Sequence, residues 1–282
     1  MNYKIISDTC CDHPELVSFD WLTRIALYVN LGDQTFTDDG TLDPSMLLDE
    51  ISRSDAVPKS ACPSPGAFEE MYHGPEQDIY VVTISKELSG TYNSAVQGAE
   101  LFLEENPNKN IHVFNSKNAC SGQVLICHKL KELVDSGLPF DEVVRQTEAF
   151  IDTVETMFVL EDLEILRKSG RMSKLQSAVV GAVKLKLVMG KAADGTIKKV
   201  TAAFSMNQAL SRMTNIISQH AQRVGDGKIE CLVITHCFAK ERAEYFAEKL
   251  KETCDIAETI LCKASGVTAM YANRGGIVVS YA

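Results

Sequence analysis

The sequence predicts an α/β protein of two domains. Three observations support this. Short apolar runs rich in Val and Ile alternate with longer amphipathic runs along the 282 residues. The rhythm of that alternation changes near residues 157–160. Hydrophobic residues make up 45% of the chain and charged residues 23%, enough apolar material for a large core and too balanced a mixture for disorder.

In chain order, residues 4–7 read as a first strand. Residues 42–54 read as a helix with Pro44 in its first turn and Met46, Leu47, Leu48 and Ile51 on its apolar face. Residues 78–84 are a buried strand, followed by a helix over 92–105 that stops before Pro107. A strand at 111–114 leads to helices at 122–135 and 140–153; Asp141 and Glu142 suit the first turn of the second. We place the domain boundary here, with residues 1–157 as one α/β domain and 158–282 as the other. Residues 160–171 read as a short helix ended by Gly170, and 173–183 as apolar and helical. Strands at 185–189 and 197–203 flank the Asp194-Gly195 turn as a hairpin. A long amphipathic helix at 206–223, a strand at 230–235, a helix at 239–253 and strands at 258–263 and 276–281 complete the reading.

Composition also sets expectations about partners. The formal net charge of −10 repels nucleic acid and anionic lipid surfaces in bulk, so neither is expected. No run approaches the roughly 20 apolar residues of a membrane helix. Residues 1–8 read as a strand rather than a leader, so a cytoplasmic protein without stable membrane insertion is expected. The nine cysteines include no C-x-x-C, and no Cys/His spacing of a structural zinc site occurs. They read as reduced core residues, and no metal or cofactor is expected.

Five segments could carry chemistry, and each also has an ordinary structural reading. In Leu88-Ser89-Gly90-Thr91-Tyr92, a strand gives way to a helix. Gly90 permits close backbone approach, and Ser89 and Thr91 add hydroxyls at a helix N-terminus, a pattern that suits a small anion. The alternative is that Ser89 or Thr91 only caps the helix. In the second segment, Ser64-Pro65 is an N-cap and first-turn pair. Ser60, read as lying in the turn before it, could serve a ligand or its own backbone. The third, 167–173, holds Arg167, Lys168 and Arg171, an anion site or a solvated helix end. The fourth, 264–276, ends in paired glycines that suggest a tight turn. The fifth is Ser7-Asp8-Thr9, where an aspartyl-phosphate enzyme would place a nucleophile; the second Asp of that pattern is replaced by Cys10. No nucleophile elbow, phosphate loop or zinc-protease motif occurs. Of the six histidines only His236, at a strand end, stands where active-site residues often do.

Taken together, the segments resemble the DegV family of bacterial fatty-acid-binding proteins over essentially the whole chain. Residues 6–12 (Ile-Ser-Asp-Thr-Cys-Cys-Asp) and Phe36-Thr37-Asp38-Asp39-Gly40 are similar to its early motifs. Ser60-Ala61-Cys62-Pro63-Ser64 resembles its Thr-Ser-Gln-Pro-Ser element, residues 88–95 its most specific signature, and residues 163–173 its Leu-Arg-Lys-Gly-Gly-Arg-Ile-Ser segment. The resemblance implies a long-chain fatty acid held between two α/β domains. Its carboxylate would meet the Ser60 and Ser89 motifs, and its tail would fill an apolar tunnel covered by the second domain. The ligand-binding set expected on this basis is Ser60, Ala61, Ser89, Gly90, Thr91, Arg171 and Asn273, with no catalytic residue. In part of the family the bound acid is presented to a separate fatty-acid kinase.

Three positions depart from the pattern. Ser60-Ala61-Cys62 loses one hydroxyl, Ala272 stands where the family has a histidine, and Phe204 where an arginine is expected. The last two lie in the part that would serve phosphoryl transfer, so they weigh against a kinase partnership. A lipid carrier needs neither a perturbed base nor a metal: burying ten methylenes at about 0.8 kcal/mol each contributes ~8 kcal/mol, and hydroxyls orient the head group. The competing readings are an acyl- or phosphoryl-transfer enzyme using Ser89 with His236, and a lipid-sensing regulatory module.

Overall fold

The computed structural model describes residues 2–172 and 185–282. Three sheets organise it. Strands β1 (Tyr3–Asp8), β3 (Leu22–Ile25), β7 (Asp78–Thr83) and β8 (Asn110–Asn115) form a parallel sheet in the order β3-β1-β7-β8. Strands β4 (Leu27–Leu31), β5 (Gln34–Asp38) and β6 (Lys59–Ala61) form a small antiparallel sheet with β4 in the middle. The third sheet has seven strands. β2 (His13–Pro14) lies at one edge beside β13 (Asp255–Lys263) and β12 (Lys228–His236). β14 (Ile277–Tyr281), β9 (Glu155–Val159), β10 (Lys186–Lys191) and β11 (Ile197–Ala203) continue it.

The helices follow the parallel-sheet logic, in which both faces must be covered. α2 (Pro65–Tyr72) and α3 (Thr91–Glu105) bury Phe68, Tyr72, Ala95 and Phe102 against Ile6, Ile79 and Val81. α4 (Ser121–Asp135) and α5 (Phe140–Thr153) cover the other face through Val124, Leu130, Val143 and Ile151. α4 reaches further: its core also includes Cys231, Val233, Ile260 and Cys262 of β12 and β13, so one helix serves two sheets. That dual role explains why its first half, Ser121–Cys127, is buried without a break. The far face of the seven-stranded sheet is closed by α7 (Met206–Gly225) and α8 (Lys240–Lys251). α1 (Pro44–Arg53), α6 (Glu164–Lys168) and α9 (Gly266–Ala272) pack near β4 and the ends of β9 and β10.

The strands and helices expected from residue 42 onward occur within a few residues of their expected bounds, apart from residues 173–183, which lie outside the described residues. A cut between residues 157 and 158 would pass through β9, which pairs with β14 from Glu155 to Val159. Two segments read as loops are regular. Ser60 lies in β6, not in a turn, because residues 59–61 pair with Tyr28–Asn30 of β4. Residues 266–272 form α9, capped by the Ser265 hydroxyl on the Thr268 N–H at 3.4 Å. The paired glycines follow α9 as a turn, with Gly275 at φ +93°.

Candidate functional site

β9 sets the geometry of the cavity. Its residues alternate, so Met157 and Val159 face α7 while Thr156 and Phe158, continued by Leu160, face the other way. On that second face lies a cavity of about 960 Å³, its mouth included. Val278 of β14, Gly190 and Lys191 of β10, and Ile197 of β11 extend the wall. Leu27, Ile84 and Leu88 close it from the N-terminal half, and Val267, Tyr271 and Ala272 of α9 from the C-terminal half. At ~3.3 Å per residue, Thr156 to Leu160 alone gives the cavity about 13 Å of length.

The two ends differ. Near Leu160 and α9, the Ser60 hydroxyl lies 3.0 Å from the Tyr271 hydroxyl. The Arg171 guanidinium sits 5.9 Å from the Tyr271 ring centre. Its Nε donates to Leu88 O (3.2 Å) and its Nη1 to Ser169 O (2.9 Å), and it has no acidic partner among the described residues. Ser89, beside Leu88, shares a 2.8 Å hydrogen bond with Thr91. This end therefore offers hydroxyls and an unneutralised cation. At the Thr156 end the polar groups are occupied with one another: Thr156 donates to Asn118 Oδ1 at 2.6 Å, and its oxygen is 2.7 Å from that of Ser280. Lys117 pairs with Asp152 at 2.5 Å. Lys191 is buried, its only polar contact among the described residues a long one to Ile151 O (3.5 Å), and burial lowers its ammonium pKa. Between the ends the lining is mainly apolar.

Of the seven expected ligand residues, the cavity takes in Ser60, Ser89 and Arg171. The other four stand behind or beside it. Thr91 is fully buried and holds Ser89. Gly90 is the N-cap of α3 and makes no side-chain cap. Ala61 ends β6. Asn273 is the C-cap of α9 at φ 54° and ψ 169°, outside the left-handed helical well, and its side chain donates to Asp162 (3.1 Å). Sequence reasoning missed Tyr271. The signal was there: Val267, Thr268 and Tyr271 all line the cavity, the one-face spacing of a helix.

The enzyme pairing is not assembled. His236 is buried with Nε2 3.2 Å from Glu15 and Nδ1 without a hydrogen-bond partner among the described residues, and it is not among the described residues of the cavity wall. Burial lowers its pKa. Ser89 shares no partner with it. Asp8 is not a free nucleophile either. One oxygen accepts from Ile84 N (2.7 Å) and the other from Cys10 N (3.0 Å) and Gln123 (3.2 Å); burial raises its pKa to about 6.

Two further buried carboxylates position α9. Asp38 accepts from Gly266 N (2.9 Å) and Val267 N (2.8 Å), placing a negative charge at the helix start. Asp12 accepts from Ser265 N (2.9 Å), and burial raises its pKa to about 7. The motif residues at 12 and 38 thus act through α9, which carries Tyr271 and Ala272 into the cavity. Phe204, at the expected arginine position, is 79% exposed.

The model of the DegV family, described as "Uncharacterised protein, DegV family", matches residues 2–282. The chain belongs to the DegV family. A DegV domain-containing protein of Streptococcus gordonii is 32% identical over 284 residues, covering 100% of this chain and 99% of that one. Among solved structures, a DegV family protein from Ruminococcus gnavus, refined with vaccenic acid, is 40% identical with a TM-score of 0.93 over 99% of each chain. The Fatty Acid Kinase (Fak) B3 protein of Streptococcus pneumoniae, loaded with linoleic acid, is 29% identical with a TM-score of 0.89, covering 100% of this chain and 99% of its own. The α/β architecture is thus the DegV fold. No helix among the described residues is long and apolar enough to cross a membrane.

Proposed function

We propose that this DegV protein binds one long-chain fatty acid as a cytoplasmic carrier and performs no chemistry on it. The observation that carries this reading is the cavity between the two halves, mainly apolar along its length, with hydroxyls and a guanidinium without an acidic partner among the described residues at the Ser60 end. In this reading the carboxylate lies among Ser60, Ser89, Tyr271 and Arg171, where hydroxyl donors and an unneutralised guanidinium await an anion. Thr91 and Gly90 set the orientation of Ser89, and Ala61 and Asn273 act through backbone position alone. The acyl chain runs along Leu160, Phe158 and Val278 toward Lys191. Fatty acids in the R. gnavus and S. pneumoniae relatives support the ligand class.

A second reading adds a kinase that phosphorylates the presented carboxylate, and the likeness to the Fak B3 protein favours it. Ala272 and Phe204 offer that partner neither an imidazole nor a guanidinium. The test of the carrier reading is organic extraction of the purified protein with mass spectrometry, followed by offering a long-chain fatty acid to the delipidated protein. An extracted or absorbed acyl carboxylate is expected; the absence of both would refute the reading.

A further inference from the structure

Away from the lipid cavity, three donor side chains converge from elements distant in sequence. β12 and β13 are parallel neighbours whose register sets Cys231 beside Glu258. α4 packs across the same face and brings His128 to them. One thiol, one imidazole and one carboxylate atom lie within 4.8 Å of one another. His128 Nε2 is 3.6 Å from Glu258 Oε2, too far for a hydrogen bond. It is close to the roughly 3.3 Å that separates two ligands held ~2.0–2.1 Å from a tetrahedral ion.

The surroundings fit an ion. Nδ1 on the other side of the ring faces Glu132, one helical turn on, at 3.7 Å, beyond hydrogen-bond distance but on the side from which a carboxylate orients a metal-bound histidine. Phe19 stacks on the ring at 6.1 Å. Lys129 neutralises Glu132 (3.2 Å) and Glu230 (3.5 Å), which leaves Glu258 without a Lys or Arg partner among the described residues. A thiolate and a carboxylate would balance a divalent charge to zero, as burial of Cys231 requires. Glu258 is half exposed, so an ion has a way in.

We propose that His128, Cys231 and Glu258 bind a divalent ion of the zinc class, with a fourth position open to water, and so tie α4 to β12 and β13. The thiolate favours zinc or cobalt over magnesium or calcium, and the thiol proton leaves to solvent on binding. The clamp joins a helix of the N-terminal half to strands of the C-terminal half. The spacing of these residues along the chain gives no hint of it.

The test uses cobalt(II) chloride as probe on the full chain. A near-ultraviolet thiolate-to-cobalt absorption saturating at one equivalent is expected. Cys231→Ser should abolish it, and His128→Gln should weaken binding at least tenfold. Zinc at a hundredfold excess over its Kd should raise the Tm of the unmodified protein by about 5 °C and leave Cys231→Ser unmoved. Fatty-acid uptake by Cys231→Ser should be unchanged, which separates this site from the lipid site. No thiolate band up to millimolar cobalt, or an equal band in Cys231→Ser, would overturn the proposal. Should serine at 231 impair folding, Glu258→Gln decides: a loss of affinity supports the site and unchanged affinity overturns it.

Discussion

Replacing Ser89 with alanine separates a ligand role from a capping role. The Ser89 hydroxyl makes two contacts, 2.8 Å to Thr91 Oγ1 and 3.3 Å to Thr91 N. Loss of a capping hydroxyl costs about 0.5–2 kcal/mol. The long second contact, and the placement of Gly90 rather than Ser89 at the N-cap, put this case near ~0.5 kcal/mol. For a chain of this length that lowers Tm by about 1–2 °C. A hydrogen bond to a carboxylate contributes about 1.5–3 kcal/mol, so losing it weakens affinity roughly 10- to 150-fold. Titration of delipidated protein with a long-chain fatty acid, alongside a thermal melt, reads both quantities. A Tm drop above about 3 °C with affinity unchanged within twofold would make Ser89 a cap and refute its role at the head group.

Two further perturbations probe the buried charges. Asp12 has a pKa raised to about 7 by burial, so the folded chain holds a proton that the unfolded chain releases near pH 4. Its contribution is full below pH 4 and is lost as pH rises through 7. The unmodified protein should therefore lose stability from pH 6.5 to 8.5 in urea titrations, and Asp12→Asn should lose less; equal slopes would contradict the assignment. The window starts at 6.5 because His236 and His13, with lowered pKa values, act in the opposite sense below it. Lys191→Met removes a buried ammonium that has one long hydrogen bond. Tm should be unchanged or slightly higher. A destabilisation above about 2 kcal/mol would show instead that the ammonium anchors the C-terminal end of α5.

The long elements were legible because their periodicity is strong and local. β7 is six residues of nearly unbroken burial, and α7 keeps Met206, Leu210, Met213 and Ile217 on one face. β4 alternates buried and half-buried from Leu27 to Leu31, but over only five residues, and the sequence reading assigned no strand there. Its partners β5 and β6 are polar and short, and only pairing with β4 makes them strands. That is why Ser60 read as a turn residue. The site was half legible for a related reason. Ser60, Ser89 and Arg171 sit in motifs that sequence can recognise. Tyr271 faces them because Asp38 and Asp12, far away in the chain, hold the start of α9. A spacing argument cannot see a carboxylate reaching across the fold to a helix N-terminus.

The central claim is that a carboxylate head group is recognised at the polar end of the cavity. It is tested most directly by titrating delipidated protein with a long-chain fatty acid and with the alcohol of equal chain length. The account predicts saturation at one fatty acid per chain and an alcohol at least tenfold weaker, because only the acid engages Arg171 and the hydroxyls as an anion. Equal affinities, or uptake without a defined stoichiometry, would contradict it.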